Sequence, residues 1–232
     1  MLIHGHYNCD AGCTTLTPEM DLGGSGAWGA ADMILASGSP TRSRLLHDAG
    51  YEFRVVLPTD REGALAGAGL PPRAFVEAQA YLKARDVADR LEGGLVIGAD
   101  TVTTVSESTA AAAGGERILG KPANPAEARA MLAALSGRTH EVITGLAVLD
   151  VRGGRRVITS ARTVLRMKPL SAAELDALSL LPEATAASGG YSLREGGDDL
   201  VTIVEGSVSN VMGLPLELLA KVLRLVERPA RA

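Results

Sequence analysis

Met33-Ile34-Leu35-Ala36-Ser37-Gly38-Ser39-Pro40-Thr41-Arg42-Ser43-Arg44-Leu45-Leu46 is the stretch on which the reading of the fold turns. Its first four residues are a short apolar run of the kind buried in a sheet, and the rest carries helix-start signals. Ser39 suits the N-cap, and Pro40 suits the first helical position, where its missing N–H would have no partner anyway. A strand that breaks through Ser-Gly-Ser into a helix leaves the N–H groups of the first turn facing whatever lies in front of them, which is a seat for an anion. Arg42 can add a charge-assisted contact there. An ordinary capped helix with solvated arginines reads the same way locally, so the rest of the chain has to decide.

Outward from this stretch the chain alternates between strand and helix signals, which points to an α/β fold. The expected elements are strand 33–37, helix 40–49, strand 52–57, a Gly/Pro-rich loop 58–72 and a long helix 73–91. Leu95-Val96-Ile97-Gly98-Ala99 is an apolar strand ending at Asp100, followed by a second extended stretch to Val105. Ser106 to Glu116 reads as an enlarged hairpin tip before Arg117-Ile118-Leu119. Helix 125–135 is capped by Asn124. Strands 139–150 and 155–168 form a hairpin around Arg152-Gly153-Gly154. Helix 171–180, a glycine-rich loop 188–197, strand 200–204 and helix 215–226 complete a domain over 33–228.

Residues 1–32 lack steady periodicity and read as a disordered N-terminal extension. Gly24-Ser25-Gly26-Ala27-Trp28-Gly29 matches a dinucleotide fingerprint by letters, yet it precedes a strand instead of following one. His4, His6, Cys9 and Cys13 are zinc-ligand types without a rigid frame to close a site. The two cysteines are too few for a disulfide scaffold.

Composition narrows the function. The chain has 232 residues, 46% of them apolar, with a formal charge of −4. That is enough to bury a core, and it gives no basic field for a nucleic-acid polymer, so an anion would be held by a few local cations. No apolar stretch suits a bilayer span and the N-terminus has no signal-peptide pattern, so the expected location is cytoplasmic, away from the membrane. Aromatic residues are only 3%, which leaves aliphatic and backbone surface to receive any nucleobase.

Further residues join the anion seat. Asp100 stands where open α/β sheets place ligands, as a capping group or as part of a site. Lys121 lies between Gly120 and Pro122, which fix its backbone, and reads locally either as a held site residue or as a solvated lysine; Lys83 lies in mid-helix and reads locally as part of a solvated face. Glu62 sits in the loop after strand 52–57. No Gly-rich loop ending in Lys-Ser/Thr is present, which argues against a P-loop enzyme.

Taken together, Leu35-Ala36-Ser37-Gly38-Ser39-Pro40 with Arg42, Phe53 through Glu62, Lys83-Ala84, Gly98-Ala99-Asp100-Thr101, Leu119-Gly120-Lys121-Pro122, Leu135 through Val142 and Gly206 through Pro215 resemble, in sequence and order, the Maf family of nucleoside triphosphate pyrophosphatases. The resemblance covers about residues 33–226. It implies an elongated mixed sheet with flanking helices around a central cleft, shared in outline with inosine triphosphate pyrophosphatases, and a homodimer. The implied reaction cuts a nucleoside triphosphate between its α and β phosphates. By position, Ser37, Arg42, Lys83 and Lys121 correspond to phosphate-contacting residues. Glu62 and Asp100 correspond to carboxylates that hold Mg²⁺ or Mn²⁺ and ready a water, and that chemistry suits oxygen ligands and a hard cation. The implied catalytic set is Asp100, Glu62 and Lys121.

Departures from the family pattern fall at substrate-facing positions. Thr41 stands where the dTTP/UTP subgroup has the first of two arginines, although Thr101 fits that subgroup. Ala187 stands at a usual lysine and Arg194 at a usual glutamine; arginine donates only, whereas glutamine donates and accepts. A second expectation is therefore a catalytically weak nucleotide-binding regulator linked to cell division.

Overall fold

A computed structural model describes residues 32–59, 65, 69–106, 116–193 and 199–227. The elements run β1 Met33–Ala36, α1 Pro40–Asp48, β2 Arg54–Val55, α2 Pro72–Ala88, β3 Leu95–Ser106, β4 Glu116–Leu119 and α3 Pro125–Leu135. They continue with β5 Thr139–Asp150, β6 Arg156–Met167, α4 Ala172–Ser179, α5 Pro182–Ala186, β7 Val201–Glu205, α6 Val208–Val211 and α7 Leu216–Glu227. The expected α/β class is what is found: a seven-stranded mixed sheet in the order β2-β1-β3-β5-β6-β7, with β4 on β3. β1 is parallel to both β2 and β3, while β3–β4 and β6–β7 are antiparallel.

The described chain divides into two units. One lies within residues 32–100, 144–161 and 212–227; the other lies within 101–143 and 162–211. In the first, the strict alternation of the parallel strands builds two apolar layers. Ile34, Ala36 and Val96 face Ala80, Ala84 and Val87 of α2. Met33, Leu35, Leu95, Ile97 and Ala99 face Leu45 and Leu46 of α1 and Leu216, Leu219 and Leu223 of α7. Both faces of β1 and β3 are thus covered, which is why these strands are apolar throughout. Gly98 continues the α2 face. A Cβ there would lie 2.4 Å from the Ala80 carbonyl oxygen and 2.9 Å from Ala84 Cβ, so glycine is what lets helix and strand meet so closely.

Several boundaries differ from expectation. Strand 52–57 shrinks to Arg54–Val55, because its partner β1 ends at Ala36 and turns away; Val56 N–H still reaches the Leu35 carbonyl. Asp100 lies inside one continuous strand, Leu95–Ser106, rather than at the end of a shorter one. The long helix ends at Ala88, where Arg90 and Leu91 N–H groups bond to carbonyls three residues back and tighten the last turn. Two short helices, α5 and α6, had not been expected; α5 carries a signal in Pro182 at its first position. The caps at Ser39 and Asn124 are as expected, with each side chain accepting an N–H from the first turn of its helix. Residues 1–31 with His4, His6, Cys9 and Cys13, the hairpin tip over 107–115, Glu62 and Arg194 lie outside the described residues.

Candidate active site

The site begins where β1 ends. Ser37, the next residue, is 3% exposed, and its hydroxyl accepts from Ser39 N–H at 3.2 Å and from Arg42 Nη1 at 3.2 Å. Arg42 Nε donates to the Gly213 carbonyl at 2.7 Å. Gly213 has φ of +99°, a conformation that L side chains rarely adopt, so a glycine there turns its carbonyl to the guanidinium at no steric cost. Two hydrogen bonds therefore set the direction of the Arg42 fork, which is the residue type that recognises phosphate by geometry as well as charge. Thr41 lies beside it in the first turn of α1, half-buried.

On the neighbouring strand, Ala36 pairs with Gly98, so Ser37 and Asp100 both stand just past the last paired residues of parallel β1 and β3. This is the end of a parallel sheet at which α/β proteins bind ligands. Lys83 of α2 reaches Asp100: Nζ lies 2.7 Å from Oδ1, with the side chains only 11% and 16% exposed. The local reading of Lys83 as a solvated lysine is corrected, and the cause is Gly98. By seating α2 against β3, it brings a helix side chain two residues further along to the strand carboxylate. Asp100 is an ion-pair partner here rather than a helix cap.

The entry to the Glu62 loop is anchored from α2 and the turn that follows it, which sequence reasoning missed. Thr59 N–H donates to Asp86 Oδ2 at 2.9 Å, and Arg90 Nη2 donates to the Leu57 carbonyl at 2.8 Å. The pairing of Asp86 with Arg90, four residues apart, was the available signal. Among the described residues no cluster of three or more His, Cys, Asp or Glu could hold a metal. A hard cation taken together with a substrate needs only one or two carboxylates beside phosphate oxygens, and Asp100 fits that requirement.

The other unit carries Thr101 and Lys121. Thr101 is half-buried at the start of its stretch of β3, and Lys121 is exposed just past β4. Ser188 accepts from Thr103 N–H at 2.9 Å and donates to the Leu119 carbonyl, while Gly189 N–H donates to the Gly120 carbonyl at 3.0 Å. Behind this segment, Tyr191 and His140 share a hydrogen bond of 2.6 Å with their rings edge to face. His140 is 2% exposed, and burial pushes its pKa down to about 4. A mostly apolar cavity of about 440 Å³ lies between α4, α5 and Gly190–Ser192; no expected site residue lines it.

Comparison with known proteins adds the family. A family model described as Maf-like protein matches residues 32–226. A protein of Rhodopirellula baltica named dTTP/UTP pyrophosphatase is 39% identical over 92% of this chain and 90% of its own length. One of Moorella thermoacetica with the same name is 42% identical over 81% of this chain and 93% of its own. Among solved structures, a HAM1 protein from Coxiella burnetii aligns with a TM-score of 0.45 at 15% identity, over 83% of this chain and 98% of that one.

Proposed function

Because the chain belongs to the Maf-like family, we propose that it is a nucleoside triphosphate pyrophosphatase, cutting between the α and β phosphates to release a monophosphate and pyrophosphate and clearing nucleotides from the cytoplasmic pool. The observation that carries this reading is the Lys83–Asp100 pair standing beside the Ser37–Arg42 seat at one end of two parallel strands. A triphosphate is a dense anion, and its cleavage depends on positioning and on charge stabilisation more than on covalent chemistry.

Ser37, Thr41 and Arg42 bind and orient phosphate oxygens, the arginine pre-aimed by its bonds to Ser37 and Gly213. Lys83 holds Asp100 in place and neutralises phosphate charge; Lys121 supplies a further cation. Asp100 accepts the proton of the attacking water, which adds to phosphorus as the bond to the pyrophosphate oxygen breaks. Asp100 and Glu62 would hold Mg²⁺ or Mn²⁺, which when bound supplies further charge neutralisation at the phosphates. Thr101 and Arg194 contribute to substrate choice.

Purified protein incubated with Mg²⁺ and a panel of triphosphates, dTTP and UTP among them, tests the proposal. Monophosphate with pyrophosphate is the expected product pair. Binding without product, or release of orthophosphate, overturns it.

A further inference from the structure

Ser188 occupies an unusual place in the unit that carries Lys121. The β3–β4 ladder pairs Thr103 with Leu119, and beyond that pair the chain leaves the sheet through Gly120-Lys121-Pro122. The Ser188 side chain stands at this last rung. It accepts Thr103 N–H from one strand and donates to the Leu119 carbonyl on the other, while its own carbonyl accepts from Thr103 Oγ1 at 3.0 Å. The next residue, Gly189, donates to the Gly120 carbonyl, one peptide before Lys121.

The segment making these bonds is itself held from several sides. Gly189, at φ +78°, would place a Cβ 2.9 Å from Thr103 Oγ1; Gly190, at φ +81°, would place one 3.1 Å from the Ala128 carbonyl oxygen of α3. Tyr191 is tied to buried His140 of β5. Four residues thus join two strands of the ladder, a helix and a third strand, and the point they fix is the backbone that carries Lys121. A lysine side chain is a flexible stem, so its value as a phosphate ligand rests on where its backbone is held.

We propose that Ser188 is a positioning residue for the reaction: by tying the Leu119 carbonyl to Thr103 N–H, next to the bond from Gly189 to the Gly120 carbonyl, its hydroxyl sets the backbone from which Lys121 meets the triphosphate. This rests on the assignment of Lys121 under the proposed function. Removing the hydroxyl frees the last rung, so the loss falls on binding of the polyphosphate.

A double-mutant cycle tests it, with kcat, KM for the preferred triphosphate and Kd for pyrophosphate measured on the full-length protein for Ser188→Ala, Lys121→Met and the pair. The expected result is a several-fold rise in KM and in pyrophosphate Kd for Ser188→Ala, kcat within about twofold, and no further rise when Ser188→Ala is added to Lys121→Met. Additive effects, or a Ser188→Ala change confined to the unfolding temperature, overturn the inference while leaving Lys121 in its role. Unchanged KM in Lys121→Met overturns that role and the inference with it. If Ser188→Ala does not fold, Thr103→Val removes a second hydrogen bond of the same clamp while keeping its shape, and takes the same place in the cycle; Thr103→Ser, which restores a hydroxyl, is expected to recover the wild-type KM.

Discussion

In the proposed reaction the decisive residue is Asp100. With Lys83 against Oδ1, the carboxylate is held for one task, and Asp100→Asn keeps its shape while removing its capacity to take a proton. The expected outcome is a fall in kcat of roughly 100-fold or more with KM within a few-fold, read from pyrophosphate release. Lys83→Met is expected to lower kcat as well, and to raise KM, because it releases the carboxylate and, under the proposed function, removes a phosphate cation together. His140 belongs to a different question, that of stability. Its pKa in the folded protein is depressed to about 4 by burial, so between about pH 6.5 and pH 4 the unfolded chain binds the proton first. The stability it secures is complete above about pH 6.5 and is lost as pH falls towards 4, amounting to about 2 kcal/mol at pH 5. Urea unfolding at pH 7.5 and pH 5 is expected to show that loss in the wild type and a smaller one in His140→Gln. The sequence made Asp100 legible through its place after an apolar run, and Arg42 through the helix-start signal. It hid the pairing of Lys83, because nothing within five residues of a mid-helix lysine says what faces it. The same holds for Ser188, whose partners lie 85 and 69 positions away.

At the scale of elements, the site depends on how closely α2 sits on β3. Gly98→Ala places a methyl against the Ala80 carbonyl, so the helix must shift; a destabilisation of about 1–3 kcal/mol is expected in thermal or urea unfolding, together with reduced kcat. The N-cap of α1 is a milder lesion: Ser39→Ala removes the acceptor of Arg42 N–H and is expected to cost about 1 kcal/mol, measured in the same unfolding experiment. Element identities over most of the chain followed from period and caps, and α3 falls at its expected bounds because Asn124 and Pro125 mark its start and Leu135-Ser136-Gly137 its end. Strand 52–57 misled because its residues have strand character, whereas the extent of a strand is decided by its neighbour's length. The short helix after Leu181 falls between the expected helix 171–180 and loop 188–197, since five residues hold too little periodicity to register.

At the scale of the whole molecule, a Mg²⁺ held by one or two carboxylates completes its shell with phosphate oxygens, so metal and substrate are expected to arrive as partners. Chelation of divalent ions should abolish turnover and added Mg²⁺ should restore it. Mg²⁺ alone should leave the unfolding temperature within about a degree, whereas Mg²⁺ with a non-hydrolysable triphosphate analogue should raise it through linkage. A large shift with Mg²⁺ alone would point to a metal site independent of nucleotide. The edge of the sheet has a consequence of its own. β2 makes only two pairs with β1 and then runs into Leu57-Pro58, yet its Val55 and the Leu57 that follows it are 46% and 61% exposed. Such side chains on a longer border would invite a foreign strand to add itself, and from there a fibre to grow. Two rungs closed by a residue without an N–H give an intruder almost nothing to copy. Brevity at that border therefore protects the folded chain from templated aggregation while leaving a greasy rim open to solvent.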